Sequence, residues 1–374
     1  MDTKRTRRPF TFPFRVSFLP SWRPASWPRV CLTLTIALAA ALLCRWLRTP
    51  IPWMIGPLLA TALASVLGMR TESWTPLRNS GQWVIGTALG LYFTPAVGAL
   101  VAGLWWAIAL GVAWALALGL GFAAWLRWLH AGHLVALTPA ELRCTTYFAG
   151  AIGGASEMTL IAERQGARTD LVAAAHSLRV LLVTVTIPFA LQFGGVSGLD
   201  TLAQGVRDVQ ALGLLALAGL TLLGALAMQR LGRANPWFMG ALVVTMVVTL
   251  SGHTLSAIPQ SLSNAAQLVI GVSLGVRFTP AFVHTAPRWL ASVAFATLVM
   301  MGLCAGFGWV LAQLTGLHPV TLLLGTAPGG IPEMAITAKV LQLGVPVVTA
   351  FQVCRLVAVL VLAEPLYRWR HGPT

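Results

Sequence analysis

The chain has 374 residues, of which 57% are hydrophobic and 9% are charged, and its formal net charge at pH 7 is +15. A soluble domain carries about 25% charged residues, so this composition excludes a water-soluble protein and predicts an integral membrane protein embedded in a lipid bilayer. The positive charge does not indicate a nucleic-acid partner, because most basic residues flank apolar segments and no DNA-reading motif is visible.

The first 29 residues form a basic segment that precedes the first apolar run. Seven of the 25 basic residues of the chain lie in it. Because cytoplasmic segments of membrane proteins are enriched in Lys and Arg, we predict a cytoplasmic tail at 1–29. The apolar run from Val30 to Leu47 contains Arg45 and shows no small-residue cleavage site, which favours an uncleaved first helix over a signal peptide.

An internal duplication organises the rest of the chain. NSGQWVIGTALGLYFTPA from Asn79 matches NAAQLVIGVSLGVRFTPA from Asn264, and GGASEM from Gly153 matches GGIPEM from Gly329. Two further blocks recur in the same order, which indicates a duplication. We therefore predict three regions after the tail: a first membrane repeat at 30–193, a linker at 194–208 and a second membrane repeat at 209–370.

Each repeat contains six apolar segments in the same order. In the first repeat they span roughly 30–47, 51–69, 80–95, 97–126, 140–163 and 170–193. In the second they span roughly 209–229, 236–251, 264–279, 289–313, 319–341 and 345–367. The third segment of each repeat is short for a membrane span of about 20 residues, and the fifth is interrupted by glycines.

The membrane topology depends on whether the fifth segment of each repeat crosses the bilayer. If every segment crosses, the cytoplasmic side carries 14 basic residues and the outside carries eight. If the fifth segment enters and leaves on one side, the counts become 19 and three, which fits the positive-inside rule better. We therefore predict an all-α polytopic membrane protein with both termini cytoplasmic. Its two inverted-topology repeats would each have about five transmembrane helices and a broken or re-entrant helical hairpin.

The glycine pairs Gly153-Gly154 and Gly329-Gly330 predict the position of the break in each fifth segment. Ser156 and Pro332 follow at equivalent positions. Ser suits a helix N-cap and Pro suits the first helical turn, so both indicate that a half-helix begins there. Many secondary transporters build their binding sites from such broken helices. The alternative is that the small residues only allow neighbouring helices to pack closely.

Two glutamates, Glu157 and Glu333, are predicted in the first turn of these half-helices, where the helix dipole favours a carboxylate. A charge at the centre of a membrane helix costs about 2.5–3.5 kcal/mol, so each glutamate needs a partner or a function. They could couple a proton or another cation, or they could form ion pairs with Arg179 and Arg355 in the sixth segments. The two arginines could equally bind an anionic substrate or lock each hairpin to the following helix.

Further polar residues occupy matched positions. His176 and Gln352 lie three residues before the arginines, on the same helix face, and we include them in the candidate binding site. Four amides at the start of the third segments would either hydrogen-bond between helices or line a polar pathway: Asn79, Gln82, Asn264 and Gln267. We predict no catalytic residue, no metal site and no cofactor, because neither nucleotide-binding loops nor hydrolase motifs are present.

The blocks GGASEMTLIA and PGGIPEMAITA, followed by AHSLRVLLV and FQVCRLVAV, resemble the duplicated AbrB family of bacterial membrane proteins over about 30–370. The first copy departs from the pattern with Ala151-Ile152 in place of the Ala327-Pro328 of the second. The resemblance implies an inner-membrane protein whose family labels include regulator of gene expression and ammonia monooxygenase. It does not imply the soluble DNA-binding protein of the same name. A monooxygenase would need a clustered copper or iron site, which these histidines and carboxylates do not supply.

Three functional hypotheses follow, and the leading one is not an enzyme. It is a secondary transporter that binds a small polar or anionic solute between the two hairpins, with H⁺ or Na⁺ as the coupling ion. The hairpins and sixth segments would form a mobile core, and the first two segments a scaffold or a homodimer interface. The alternative is a membrane-embedded regulator that acts on gene expression indirectly, and a membrane oxidoreductase is the third and least favoured.

Overall fold

The computed structural model describes five stretches of the chain: 26–131, 137–195, 208–280, 282 and 286–371. Most of the predicted tail at 1–29 and of the linker at 194–208 lies outside the described residues. Within these stretches the structure contains fifteen helices and no strand.

The helices follow the predicted segments in order. In the first half they are α1 (Trp27–Trp46), α2 (Pro52–Val66), α3 (Thr75–Gly90), α4 (Pro95–Gly103), α5 (Trp105–His130), α6 (Pro139–Gly150), α7 (Ala155–Arg164) and α8 (Thr169–Phe193). In the second half they are α9 (Ala211–Arg230), α10 (Pro236–Leu250), α11 (Gln260–Gly275), α12 (Pro287–Thr315), α13 (Pro319–Thr326), α14 (Ile331–Val340) and α15 (Val345–His371).

Six helices are long and apolar enough to cross a membrane: α1, α5, α8, α9, α12 and α15. Helices α2 and α10 are apolar but shorter, and α3 and α4, which are bent by 88° relative to each other, count as a seventh span if the pair is one broken span. The prediction of an all-α multi-pass membrane protein is confirmed. The inversion of the second repeat stays a prediction.

The bend between α3 and α4 corrects the predicted boundaries of the third and fourth segments. The helix expected at 80–95 begins at Thr75 and ends at Gly90, and the one expected at 97–126 is divided between α4 and α5. Thr94 has an extended backbone, with ψ at 163°, and accepts a hydrogen bond from Val97 N as the N-cap of α4. Because the residue before a proline disfavours the helical region of backbone angles, Thr94 cannot easily be part of one continuous helix that would join α3 to α4.

The first three helices of each half form one group, which we call the scaffold bundle. Helix α10 packs against α3 and α9, and α11 packs against α2 and α3. Small residues allow the backbones to touch: a Cβ on Gly240 would overlap the carbonyl of Gly224 on the neighbouring helix. Trp83 Nε1 also donates a hydrogen bond across the bundle to Thr221 Oγ1 at 2.9 Å.

The remaining long helices and the interrupted segments form a second group, which we call the hairpin bundle. It contains hairpin 1 (α6, residues 151–154 and α7) and hairpin 2 (α13, residues 327–330 and α14). Elements of the two halves are joined here, because Trp289 Nε1 of α12 donates to Leu171 O of α8 at 3.1 Å. Helix α14 also contacts α3 of the scaffold bundle, so hairpin 2 lies at the junction of the two bundles.

Candidate functional site

Both predicted helix breaks occur at the glycine pairs. Gly154 is the N-cap of α7 and Gly330 is the N-cap of α14, and both have extended backbones. Before the breaks, Ala151 has φ −56° and ψ 134°, and Ala327 has φ −57° and ψ 143°. The two breaks therefore have the same local geometry, although Ile152 stands where the second copy has Pro328.

The prediction for Ser156 was wrong in one respect, because the glycine and not the serine caps the helix. Ser156 and Pro332 each occupy the second helical position, and Ser156 is exposed. The other glycine of each pair packs against a methionine: a Cβ on Gly153 would lie 2.9 Å from Met158 Cγ, so the Met158 side chain would have to shift. A Cβ on Gly329 would lie at the same distance from Met334 Cγ.

The two buried arginines hold the ends of the helices that precede the breaks. Arg179 Nη1 donates to Ala151 O at 2.9 Å, and its Nη2 donates to Ala149 O. Arg355 donates from Nη1 to Ala327 O and from Nη2 to Gly329 O, the latter at 2.7 Å. The last carbonyls of a helix have no partner within it, and a cation at this end is favourable. The arginines therefore act as locks between each hairpin and the helix that follows.

The alternative of an ion pair between these arginines and the glutamates is not observed. Within the described stretches, the ion pairs closer than 4 Å are Arg168 with Asp170 and Arg368 with Glu364, both away from the breaks. The side chain of Arg179 is 2% exposed and its guanidinium carbon lies 5.3 Å from the centre of the Phe122 ring. A cation–π contact thus takes one face of this guanidinium.

His176 and Gln352, one turn earlier in α8 and α15, bind carbonyls at the same helix ends, and Gln352 shares Ala327 O with Arg355. His176 Nε2 lies 3.0 Å from Phe148 O. Gln352 Nε2 donates to Leu324 O at 2.7 Å and to Ala327 O at 3.1 Å. These two members of the predicted binding site therefore contribute to holding the hairpins, and both are buried.

The two glutamates occupy different environments. Each lies at the third helical position, with its carboxylate so close to the N-cap that a Cβ on Gly154 or Gly330 would overlap it. Glu333 is 5% exposed and its Oε2 has no hydrogen-bond partner, whereas Glu157 is half-buried. The difference arises because hairpin 2 packs in one apolar core with scaffold residues such as Ile85.

A buried carboxylate oxygen without a hydrogen bond is costly to maintain. A bound proton would remove the charge of Glu333, and a bound cation would compensate it. The sequence placed both glutamates correctly in the first turn of their half-helices.

The sequence analysis missed two arginines, Arg78 and Arg277, which it counted only as topology signals. Arg277 interacts electrostatically with Arg78, Glu333 and Glu157, and Arg78 interacts with Glu157. Arg78 Nη2 donates to Asn79 Oδ1 at 3.4 Å. One sequence signal could have revealed the site, because Arg277 interrupts the apolar run VIGVSLGVRF.

The predicted pathway amides lie in different surroundings. Asn264 and Gln267 line a cavity of about 330 Å³, together with Arg45 and Val340 at the end of hairpin 2. Asn79 lies beside Arg78, as described above, and Gln82 is half-buried. Across the described residues, no group of three or more His, Cys, Asp or Glu side chains is arranged to hold a metal ion.

Comparisons with known proteins identify a matching family and similar sequences. The sequence model of a family described as "Transition state regulatory protein AbrB" matches residues 53–371. The "Uncharacterized protein YhjN" of Bacillus subtilis (strain 168) is 26% identical over 351 residues, which cover 86% of this chain and 88% of that protein. The "Putative regulator AbrB" of Escherichia coli (strain K12) is 23% identical over 347 residues, which cover 92% of this chain and 96% of that protein.

Proposed function

The chain belongs to the membrane-type AbrB family, and we propose that it is an ion-coupled secondary transporter of the bacterial inner membrane. A small polar or anionic solute would bind between the tips of the two hairpins. The proposal rests on one observation above all: Glu333 is buried at the start of a half-helix, and one of its oxygens has no partner. Both termini would be cytoplasmic, and no enzymatic step is proposed.

Coupling would operate through the ionisation of Glu333. When Glu333 holds a proton or a sodium ion, its buried oxygen is compensated and hairpin 2 can stay packed on the scaffold bundle. When it releases the ion, a bare carboxylate remains in an apolar environment, which favours a conformation with more access to water. The transported solute and the ion would thus move together because each favours the same conformation.

The scaffold bundle would supply the fixed part of the transporter. Helices α1 and α9 present most of their surfaces outward, since only 22% and 17% of their apolar windows are buried. In the membrane these surfaces would contact lipid or a second copy of the chain, and the hairpin bundle would move against them.

A second function is favoured by the name of one relative, "Putative regulator AbrB". In that case the protein would sense a solute in the membrane and act on gene expression indirectly. Deletion of residues 2–28 separates the two functions, because a regulator that docks through its basic tail should lose signalling while a transporter should keep solute flux.

The test of transport uses the full chain in proteoliposomes, with radiolabelled solutes of several chemical classes and an imposed proton or sodium gradient. We expect gradient-dependent uptake of at least one solute, and we expect Glu333→Gln to abolish the gradient dependence. Glu163→Gln is the matched control, since Glu163 is exposed at the end of α7. Absence of gradient-dependent flux for every class would contradict the proposal.

A further inference from the structure

We propose that Arg277 and Arg78 form the anion-recognition part of this site and that the ligand is a small carboxylate with a single negative charge. This inference rests on the proposed function for the location of the site, but it concerns a different property, the charge and chemistry of what binds. It assigns recognition to residues other than Arg179 and Arg355, whose guanidinium groups are committed to carbonyl oxygens.

The first argument is the position of the four charges. Arg78 lies in the first turn of α3 and Arg277 lies two residues after the end of α11. These helices pack against each other in the scaffold bundle. Glu157 and Glu333 come from the hairpin bundle, and both interact electrostatically with Arg277. Helix α14, which carries Glu333, also contacts α3, which carries Arg78, so opposite charges lie near one another where hairpin 2 meets the scaffold bundle.

The second argument is that these charges are near one another but not joined. The described residues include no ion pair shorter than 4 Å between either arginine and either glutamate. No hydrogen bond in the described stretches uses the Arg277 side chain, and Arg78 Nε is buried without a partner. A guanidinium has five N–H donors in a planar fork that matches the two oxygens of a carboxylate. Donor capacity therefore remains for a ligand.

The third argument comes from the duplication. In the matched blocks, Tyr92 stands where the second copy has Arg277, and Ser263 stands where the first copy has Arg78. Helices α3 and α11 nevertheless have the same length of 16 residues. Neither arginine is therefore needed to form this element, since the other copy does without it, whereas the locking arginines are present in both copies. Each copy thus carries one arginine that its counterpart lacks, which indicates a role beyond folding.

The net charge of the cluster specifies the charge of the ligand. With Glu333 neutralised by its ion, two guanidinium groups face the single carboxylate of Glu157, which leaves a net charge of +1. A single carboxylate on the ligand makes the loaded site neutral. A neutral site can move along the contact between the two bundles at a low electrostatic cost. A cation would meet two arginines and is disfavoured, and a doubly charged anion would leave excess negative charge.

The experiment measures binding and flux separately on the full-length protein. Binding of acetate, lactate and benzoate is measured by ligand-induced thermal stabilisation in a neutral detergent, with succinate, ammonium and glycerol as comparators. Arg277→Tyr and Arg78→Ser introduce the residues of the other copy, so both variants are expected to fold. Arg277→Lys tests whether binding needs the planar guanidinium group or only a positive charge. Arg288→Gln is the control, because Arg288 is exposed and is not one of the four charged residues.

We expect at least one of the monocarboxylates to bind the wild-type protein, and we expect Arg277→Tyr to weaken that binding about tenfold or more. Arg288→Gln should bind as the wild type does. The proposal is overturned if no monocarboxylate binds or if Arg277→Tyr binds them as tightly as the wild type does.

Flux measurements distinguish this proposal from the transport function. Arg277-dependent carboxylate binding without flux in proteoliposomes would support anion recognition and contradict transport. Gradient-driven flux of a neutral or cationic solute that Arg277→Tyr leaves intact would support transport and contradict anion recognition.

Discussion

Arg355 Nη2 donates a hydrogen bond to Gly329 O at 2.7 Å and so joins helix α15 to the break in hairpin 2. Its other terminal nitrogen holds Ala327 O, and the side chain is 5% exposed. In hairpin 1, Arg179 binds Ala151 O, the carbonyl that corresponds to Ala327 O. The carbonyl groups at each break thus accept hydrogen bonds from an arginine of the following helix.

Arg355→Met should destabilise the protein by about 1–3 kcal/mol, because Gly329 O loses its donor in the apolar interior while Ala327 O keeps its bond from Gln352. The loss can be measured as a lower thermal unfolding midpoint in detergent. Arg368→Gln is the control, because its ion pair with Glu364 is at the surface and should contribute less than about 1 kcal/mol. Equal stability of Arg355→Met and the wild type would show that the lock is dispensable.

Gly330→Ala should impair coupled transport because its Cβ would overlap the Glu333 carboxylate. The carboxylate must then leave its place over the helix start, where the backbone N–H groups favour it. Gly302→Ala is the matched control, since a Cβ there meets no atom within 4 Å and Ala raises helix propensity. Proteoliposome flux and unfolding midpoints of both variants distinguish a local effect on the site from misfolding.

The difference in burial between the two glutamates predicts a difference in chemical accessibility. In a background without the native cysteines, Glu157→Cys should react with a water-soluble maleimide much faster than Glu333→Cys. The rates can be followed by mass spectrometry of the intact protein. Comparable rates at the two positions would mean that Glu157 and Glu333 are equally accessible in solution, which would contradict the prediction.

The inverted topology predicts the sides from which two exposed residues are labelled. Arg164, at the end of α7, and Gln342, after α14, are both exposed. A membrane-impermeant maleimide should reach Arg164→Cys only from the cytoplasmic side of vesicles and Gln342→Cys only from the other side. If one side reaches both, the second repeat is not inverted.

The start of α6 predicts a pH-dependent contribution to stability. Hydrogen bonds from the Thr138 backbone N–H and hydroxyl to Glu141 hold the pKa of that carboxyl below its usual range. Such a group stabilises the fold at pH values above its unfolded pKa of about 4.3, and the contribution is lost as the pH falls through the lower folded pKa. Glu141→Gln should therefore cost less than about 1 kcal/mol at neutral pH, because water screens this surface group, and little in acid. The test is to compare the thermal unfolding midpoints of Glu141→Gln and the wild type from acid to neutral pH. A difference that does not change with pH would contradict the prediction.

Much of the architecture could be predicted from the sequence because membrane helices depend on local composition. The apolar segments and the breaks at Gly153-Gly154 and Gly329-Gly330 required only residues that are adjacent in the chain. The bend before Pro95 was missed because an apolar run on either side concealed it. Glycines were the stronger signal at the breaks, which is why Ser156 was assigned the wrong position.

The functional site was predicted less completely because it depends on contacts between distant segments. Nothing in the sequence distinguished a carbonyl from a carboxylate as the acceptor for Arg179. The approach of Arg277 to Glu333 depends on the packing of α14 against the scaffold bundle, which no local pattern specifies. The unequal burial of two glutamates in nearly identical blocks has the same origin.

The locking arginines also determine what a conformational change would cost. Because Arg179 ties hairpin 1 to α8 and Arg355 ties hairpin 2 to α15, each hairpin and its following helix share hydrogen bonds that stay within one unit. A shift of that unit past the scaffold would break none of these bonds, but it would change the polar contacts between the bundles, such as the hydrogen bond from Gln192 Nε2 of α8 to Arg48 O. The energy barrier of such a movement would therefore be set by the contacts between the two bundles and not by the bonds at the breaks.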